Sequence, residues 1–325
     1  MSMSPSGRPE LHSSPVTHRN PQARQARRGL WAVVGLPYFW LVVFFLLPFL
    51  IVLKISVSEM ENVSFKDVLT FHDGVLALSL KLGNYASLVQ DDLYFLTYLS
   101  SLKYAAVTTA LCLLIGYPFA YFMARARATV QPALLMLVML PFWTSFLLRV
   151  YAWKGLLSEH GWVASFIAAT GLDRALLALN LIPAEGQLMN TPFSLVLGMT
   201  YTYLPFMILP LYSNLAKMDL RLLEAASDLG ATAWVAFWSI TVPLSKAGII
   251  AGAMLVFIPC VGEYVIPELL GGPQTQMIGR TLWDEFFSNN DWPMASAVAV
   301  AMVLLILVPL AIFSKYQAEA AEAQS

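Results

Sequence analysis

Glu263 and Glu268 stand in an otherwise apolar run, Val261-Gly262-Glu263-Tyr264-Val265-Ile266-Pro267-Glu268-Leu269-Leu270. A charge at bilayer depth costs about 2.5–3.5 kcal/mol on insertion scales, so its presence calls for a reason. Two readings are open. The acids can present negative charge to a cationic solute on a central path. Alternatively they pair with Arg149 or Lys103, which fall toward the matching ends of other apolar runs, and hold a helix bundle together. Tyr201 and Tyr203 lie beside Pro205, and Trp143 follows Pro141. Their ring faces can line a path for an alkylammonium group by cation–π contact. More often such residues serve in helix–helix packing with a hydrogen bond.

No reactive cluster accompanies these groups. His12, His18, His72 and His160 are scattered, and Cys112 and Cys260 sit singly within apolar runs. Metal-ligand spacing is absent, and so is a disulfide framework. The chain also lacks the Gly-x4-Gly-Lys-Ser/Thr loop that cradles nucleotide phosphates. The expectation is a protein that is not an enzyme and carries no cofactor of its own.

The elements that must position the acids are read from composition. Of 325 residues, 58% are hydrophobic and only 12% charged, with a mean hydropathy of +0.66. Soluble domains carry about twice that charge, so the chain is read as an all-α integral membrane protein. Apolar runs of about twenty residues mark helical spans. Residues 1–29 are polar and read as a disordered cytoplasmic arm, with Arg19, Arg24, Arg27 and Arg28 just before the first run. The run over 30–55 is too long for a secretory signal and reads as a retained first span. A segment over 56–98, poor in Lys and Arg, is placed outside. Further spans fall at about 99–124, 132–153, 192–214, 248–270 and 293–313. Between the third and fourth, the apolar content of Trp162–Ile167 and Leu176–Leu177 suggests a short helix at the interface or packed on the bundle. Arg125 and Arg127, then Lys217, Arg221 and Lys246, put the intervening loops inside. About six spans with both termini cytoplasmic satisfy these biases. The core covers 99–314, with a cytoplasmic loop over 215–247 and a tail over 315–325. Prolines recur within the spans, notably Pro205/Pro210 and Pro259/Pro267, and suggest kinked helices around a cavity.

The 215–247 loop is patterned like folded structure. Asp219 can cap a helix with Leu222, Leu223, Ala226 and Leu229 on one face and Arg221, Glu224 and Asp228 on the other. Gly230 is placed to end that helix in a left-handed turn. Thr232 can cap a second short helix bearing Trp234, Phe237 and Trp238, ended by Pro243. Two apolar faces outside the bilayer must dock, either on this chain or on a partner.

This loop resembles the "EAA" loop of ABC importer permeases. Glu224, Ala225, Ala226, Gly230, Ile240 and Pro243 match its spacing, with Val242 in the place of the usual Leu. The run Glu263-Tyr264-Val265-Ile266-Pro267-Glu268-Leu269-Leu270-Gly271-Gly272-Pro273 is similar to the polyamine branch of that family, putrescine-type above all. So are Thr144-Ser145-Phe146-Leu147, Arg149-Val150-Tyr151-Ala152-Trp153 and Met277-Ile278-Gly279-Arg280. The likeness covers nearly everything after about residue 31. It implies a type I importer permease that docks an ATPase dimer on the EAA loop, with ATP and Mg on that partner. It also implies a second homologous permease and a periplasmic polyamine-binding protein. Other solutes for the same machinery, such as an amino acid, iron or thiamine, remain alternatives. So does a stand-alone secondary transporter, which has no need of a docking loop.

Overall fold

The computed structural model describes residues 33–61, 64–65, 69–72, 75–78 and 82–322. The arm over 1–29 lies outside the described residues, as does the start of the first span. That span is helix α1, Val33–Ser56, wholly apolar until Lys54, with a π-turn at Val42–Leu46. Among the described residues, those up to Val52 belong to one unit and those from Leu53 onward to a second.

In the second unit, two short antiparallel hairpins come first. Strands β1 (Met60–Glu61) and β2 (Ser64–Phe65) pair, as do β3 (Leu69–His72) and β4 (Val75–Leu78). Every other described element is helical. Helix α2 is Gly83–Gln90, and α3 runs unbroken from Asp92 to Arg125, capped by the Asp91 carboxylate on the Leu93 amide at 2.9 Å. The second span is therefore longer than hydropathy suggests, because polar residues of its first two turns are helical too.

The third expected span is not one helix. Helix α4 (Gln131–Met139) tightens into a 3-10 turn over Leu140–Trp143, and α5 (Phe146–Leu157) leaves at 87°. Thr144 and Ser145 are extended between them. The break frees the Pro141 carbonyl, which accepts from the Thr144 hydroxyl at 2.9 Å and from the Arg149 guanidinium. At bilayer depth a freed carbonyl must find such donors. Two short helices follow, α6 (Trp162–Thr170) and α7 (Leu172–Ala178), joined at Gly171.

Helix α8, Pro192–Leu215, begins with a reciprocal cap between Thr191 and Ser194. It carries Pro205 and Pro210 without breaking. Helix α9 is Arg221–Asp228 and α10 is Ala233–Leu244, the latter containing a π-turn at Phe237–Thr241. Helix α11, Lys246–Val261, leaves α10 at 63°. The expected fifth span is broken at Gly262–Tyr264 and resumes as α12, Val265–Leu270. Helix α13, Ile278–Trp283, passes into a π-turn at Asp284–Ser288. Helix α14, Trp292–Glu322, carries the sixth span through the expected tail. Among the described residues, four helices are long and apolar enough to cross a membrane, or six if each bent pair is one span.

The centre is the packing of α3, α8 and α11, where Cys112, Met199, Met207, Leu211, Val256 and Cys260 are buried together. Helices α8 and α11 run antiparallel with their backbones in contact. A Cβ added at Gly252 would lie 3.1 Å from the Met207 carbonyl, and one at Gly248 would lie 3.1 Å from that of Pro210. Small residues at a four-residue spacing let membrane helices approach this closely.

Candidate functional site: a buried acid and an outward-facing helix pair

The α8–α11 seam ends in two different places. At one end it leads into α9 and α10, which are built by local chemistry. The Asp219 carboxylate accepts from the Arg221 amide at 3.0 Å and so starts α9. Gly230 has φ +83°, a conformation that costs other residues strain. It lets the Gly230 amide bond Ser227 O at 2.9 Å and the Ala231 amide bond Ala226 O at 2.9 Å. Those two bonds close the C-terminus of α9 as a Schellman motif. The Thr232 hydroxyl then accepts from the Val235 amide at 3.4 Å and starts α10. Pro243 lies one residue inside the end of α10, a small shift from its expected place as terminator.

The pair turns only part of its apolar surface inward. Ala226 and Ala236 are buried, and Phe237 packs edge-on against Tyr117 and Tyr121 of α3 at 5.6 and 5.9 Å. Leu229 is 89% exposed and Trp234 69%, with Leu222, Val235 and Trp238 also exposed. Glu224, Ala225 and Pro243 are exposed, and Ile240 is half-buried. At the joint with α11, the Ser245 and Tyr117 hydroxyls share a hydrogen bond at 2.8 Å.

At the other end sits Glu263, only 8% exposed. Its Oε1 accepts from the Val265 amide at 3.0 Å and the Ile266 amide at 3.4 Å, so the side chain folds back to cap α12. Its Oε2 accepts from the Tyr203 hydroxyl of α8. Hydrogen bonds to a charged group are worth about 1.5–3 kcal/mol each, enough together to offset the cost of an acid at depth. All three donors are neutral, so the charge is solvated but not cancelled. Among the described residues Glu263 has no cationic partner. Gly279 of α13 presses on this break, where a Cβ would lie 2.5 Å from Gly262 O and 2.6 Å from Glu263 O.

Glu268 is paired, but not with either expected base. Its Oε2 lies 2.8 Å from Nε of Arg280. That approach is off the N–H direction, so Nε has no aligned hydrogen bond. Arg149 is engaged at the α4–α5 break and lies over the Phe146 ring, and the Lys103 ammonium lies over the Tyr104 ring at 5.5 Å. Neither base reaches an acid because each has a nearer acceptor on its own stretch of chain. Of the aromatic candidates, Tyr203 touches Glu263. Tyr201 packs edge-on against Trp153 at 5.4 Å, and Trp143 is 72% exposed at the end of the 3-10 turn. Sequence reasoning missed two further buried acids, Asp173 and Glu285. Glu285 accepts from the Tyr94 hydroxyl at 2.7 Å and from Asn289 at 2.9 Å. Its place within an aromatic run was a faint signal, since its main partner lies at the far start of α3.

A family model described as "Binding-protein-dependent transport system inner membrane component" matches residues 112–318. The chain is 37% identical over 285 residues to the "Spermidine/putrescine transport system permease protein PotB" of Haemophilus influenzae, covering 88% of this chain and 92% of that protein. PotB of Escherichia coli is also 37% identical, over 84% of this chain and 92% of its own length. The "Inner membrane ABC transporter permease protein YdcU" of Escherichia coli is 31% identical over 88% and 94%. Among solved structures, a bacterial ABC transporter importing alginate aligns with a TM-score of 0.59 at 17% identity, over 93% of this chain and 99% of that one. That likeness speaks for the fold. The long match to the family model and to full-length relatives makes this chain a multi-pass inner membrane permease of the binding-protein-dependent ABC importer family.

Proposed function

We propose that this chain is the membrane-spanning permease subunit of an ATP-driven importer that carries a polyamine, putrescine or spermidine, from periplasm to cytoplasm. The observation that carries the substrate is Glu263. It is a buried carboxylate held by neutral donors at a break in the fifth span, and its charge is left for a cation to meet. The names of the PotB relatives point the same way. In this reading both termini are cytoplasmic. An ATPase dimer seats on α9 and α10, where Leu229 and Trp234 face outward, and Glu224 and Gly230 transmit its motion. ATP and Mg belong to that partner. A second homologous permease completes the path, and a periplasmic polyamine-binding protein delivers the solute.

The test is uptake of labelled putrescine in cells with and without the chain, competed by spermidine and by amino acids. A protonophore is then added while ATP is maintained. The expected result is loss of uptake on deletion, competition by polyamines alone and insensitivity to the protonophore. Competition by amino acids would reassign the substrate. Collapse with the protonophore would assign the chain to secondary transport.

A further inference from the structure

Beyond Glu263, the same end of the bundle carries a set of side chains with no assigned role. Tyr264, the next residue, turns away from the core and stacks on Trp283 at 4.3 Å and 15°. Phe287 lies against Trp283 at 4.1 Å, tilted by 36°. The π-turn at Asp284–Ser288 brings Phe287 onto Trp283. The ladder is solvent-accessible, with Trp283 39% and Phe287 55% exposed. Its rim is charged. The Tyr264 hydroxyl lies in the field of Glu268 and Asp284, with Arg280 opposing them. Two acids against one base leave the rim net negative.

We propose that Tyr264, Trp283 and Phe287, with Asp284 and Glu268, form an outer receiving site for the ammonium end of an alkylammonium solute. The proposal rests on the polyamine reading above and places a step before Glu263. Aromatic faces attract cations most strongly when Trp contributes. Arg280 acts as a resident stand-in for the solute. Its guanidinium occupies Glu268 without an aligned hydrogen bond from Nε, so an incoming ammonium displaces a loose ion pair. Glu263 and Tyr264 are consecutive, so the ladder is the chain's next residue out from the buried carboxylate.

The experiment is the concentration dependence of putrescine uptake in cells carrying the native chain, Trp283→Leu, Trp283→Phe or Asp284→Asn, with chain levels measured in membranes. Trp283→Leu should raise KM about 3- to 30-fold, the range that one cation–π contact supplies, while the maximal rate stays within about twofold. Trp283→Phe, which keeps a ring, should stay within about threefold of native, and Asp284→Asn should raise KM about threefold. Native KM in both Trp283→Leu and Asp284→Asn overturns the site. A lower maximal rate at unchanged KM also overturns it, and marks the ladder as a contact with a partner subunit. If Trp283→Leu fails to reach the membrane, Asp284→Asn decides alone. If putrescine uptake does not depend on the native chain, the polyamine reading falls and takes the site with it. Dependence with unaltered variants removes the site only.

Discussion

The two ends of the α8–α11 seam are built in opposite ways. The α9–α10 pair is specified by neighbours in sequence: Asp219 starts one helix, Gly230 ends it, and Thr232 starts the next. Much of its apolar surface, Leu222, Leu229, Trp234, Val235 and Trp238, is left facing out. The break at Glu263 is specified by residues remote in sequence, Tyr203 on α8 and Gly279 on α13. There both carboxylate oxygens of Glu263 are satisfied inside the fold. A surface left uncovered by the rest of the chain has to keep its shape alone, so local signals define it. A charge held at bilayer depth has to be over-determined by tertiary contacts, because an unsatisfied group there is costly.

The sharpest way to break this comparison is at Gly230. A β-branched side chain at φ +83° is strained wherever it points, so Gly230→Val should undo the Schellman closure. Uptake should fall about 100-fold or more while the chain still inserts, as judged by membrane immunoblot. Glu224→Lys, on the exposed face, should behave alike. Normal uptake in both would mean that the pair does not transmit motion. At the other end, Glu263→Gln keeps the shape and removes the charge. Cation uptake should drop about 10- to 100-fold with the complex still recovered intact. Tyr203→Phe, which deletes one of three donors, should cost about 3- to 10-fold. Equal and small effects for these two variants would make Glu263 a packing group. The mildest test concerns Leu229. At 89% exposure it contributes little to this chain's own stability, so Leu229→Ser should shift unfolding by less than about 0.5 kcal/mol. It should nonetheless weaken recovery of an ATPase with the tagged chain. A marked loss of thermal stability instead would mean that Leu229 packs within this chain.

The contrast also explains what could be read from sequence. Caps and a left-handed glycine are decided within a few residues, so α9 and α10 were legible almost to the residue. Span positions were legible because apolar length is a local sum. Breaks were not. Gly262–Tyr264 and Thr144–Ser145 are polar interruptions too short to split the apolar runs around them, so each run reads as one span although the chain bends at both. What sustains those breaks is Gly279 against two carbonyls and Arg149 on Pro141, which the sequence does not display. The pairing of Glu268 was misjudged for the same reason. Arg149 and Lys103 were plausible by depth, but Arg280 is brought alongside by the turn between α12 and α13, which depth alone does not reveal.

The glycine contacts along the seam have a mechanical consequence. With Gly248 set against Asn214 and Gly252 against Met207, α11 cannot slide along α8 without a steric collision. The two helices resemble the legs of a staple, with α9 and α10 as its crown. In the proposed reading, a push on the crown moves both legs together and carries the Tyr203–Glu263 pair with them. Opening and closing must then occur where the staple meets something else. The surfaces to watch are its contacts with α3, its joint at Ser245, and whatever faces its exposed side.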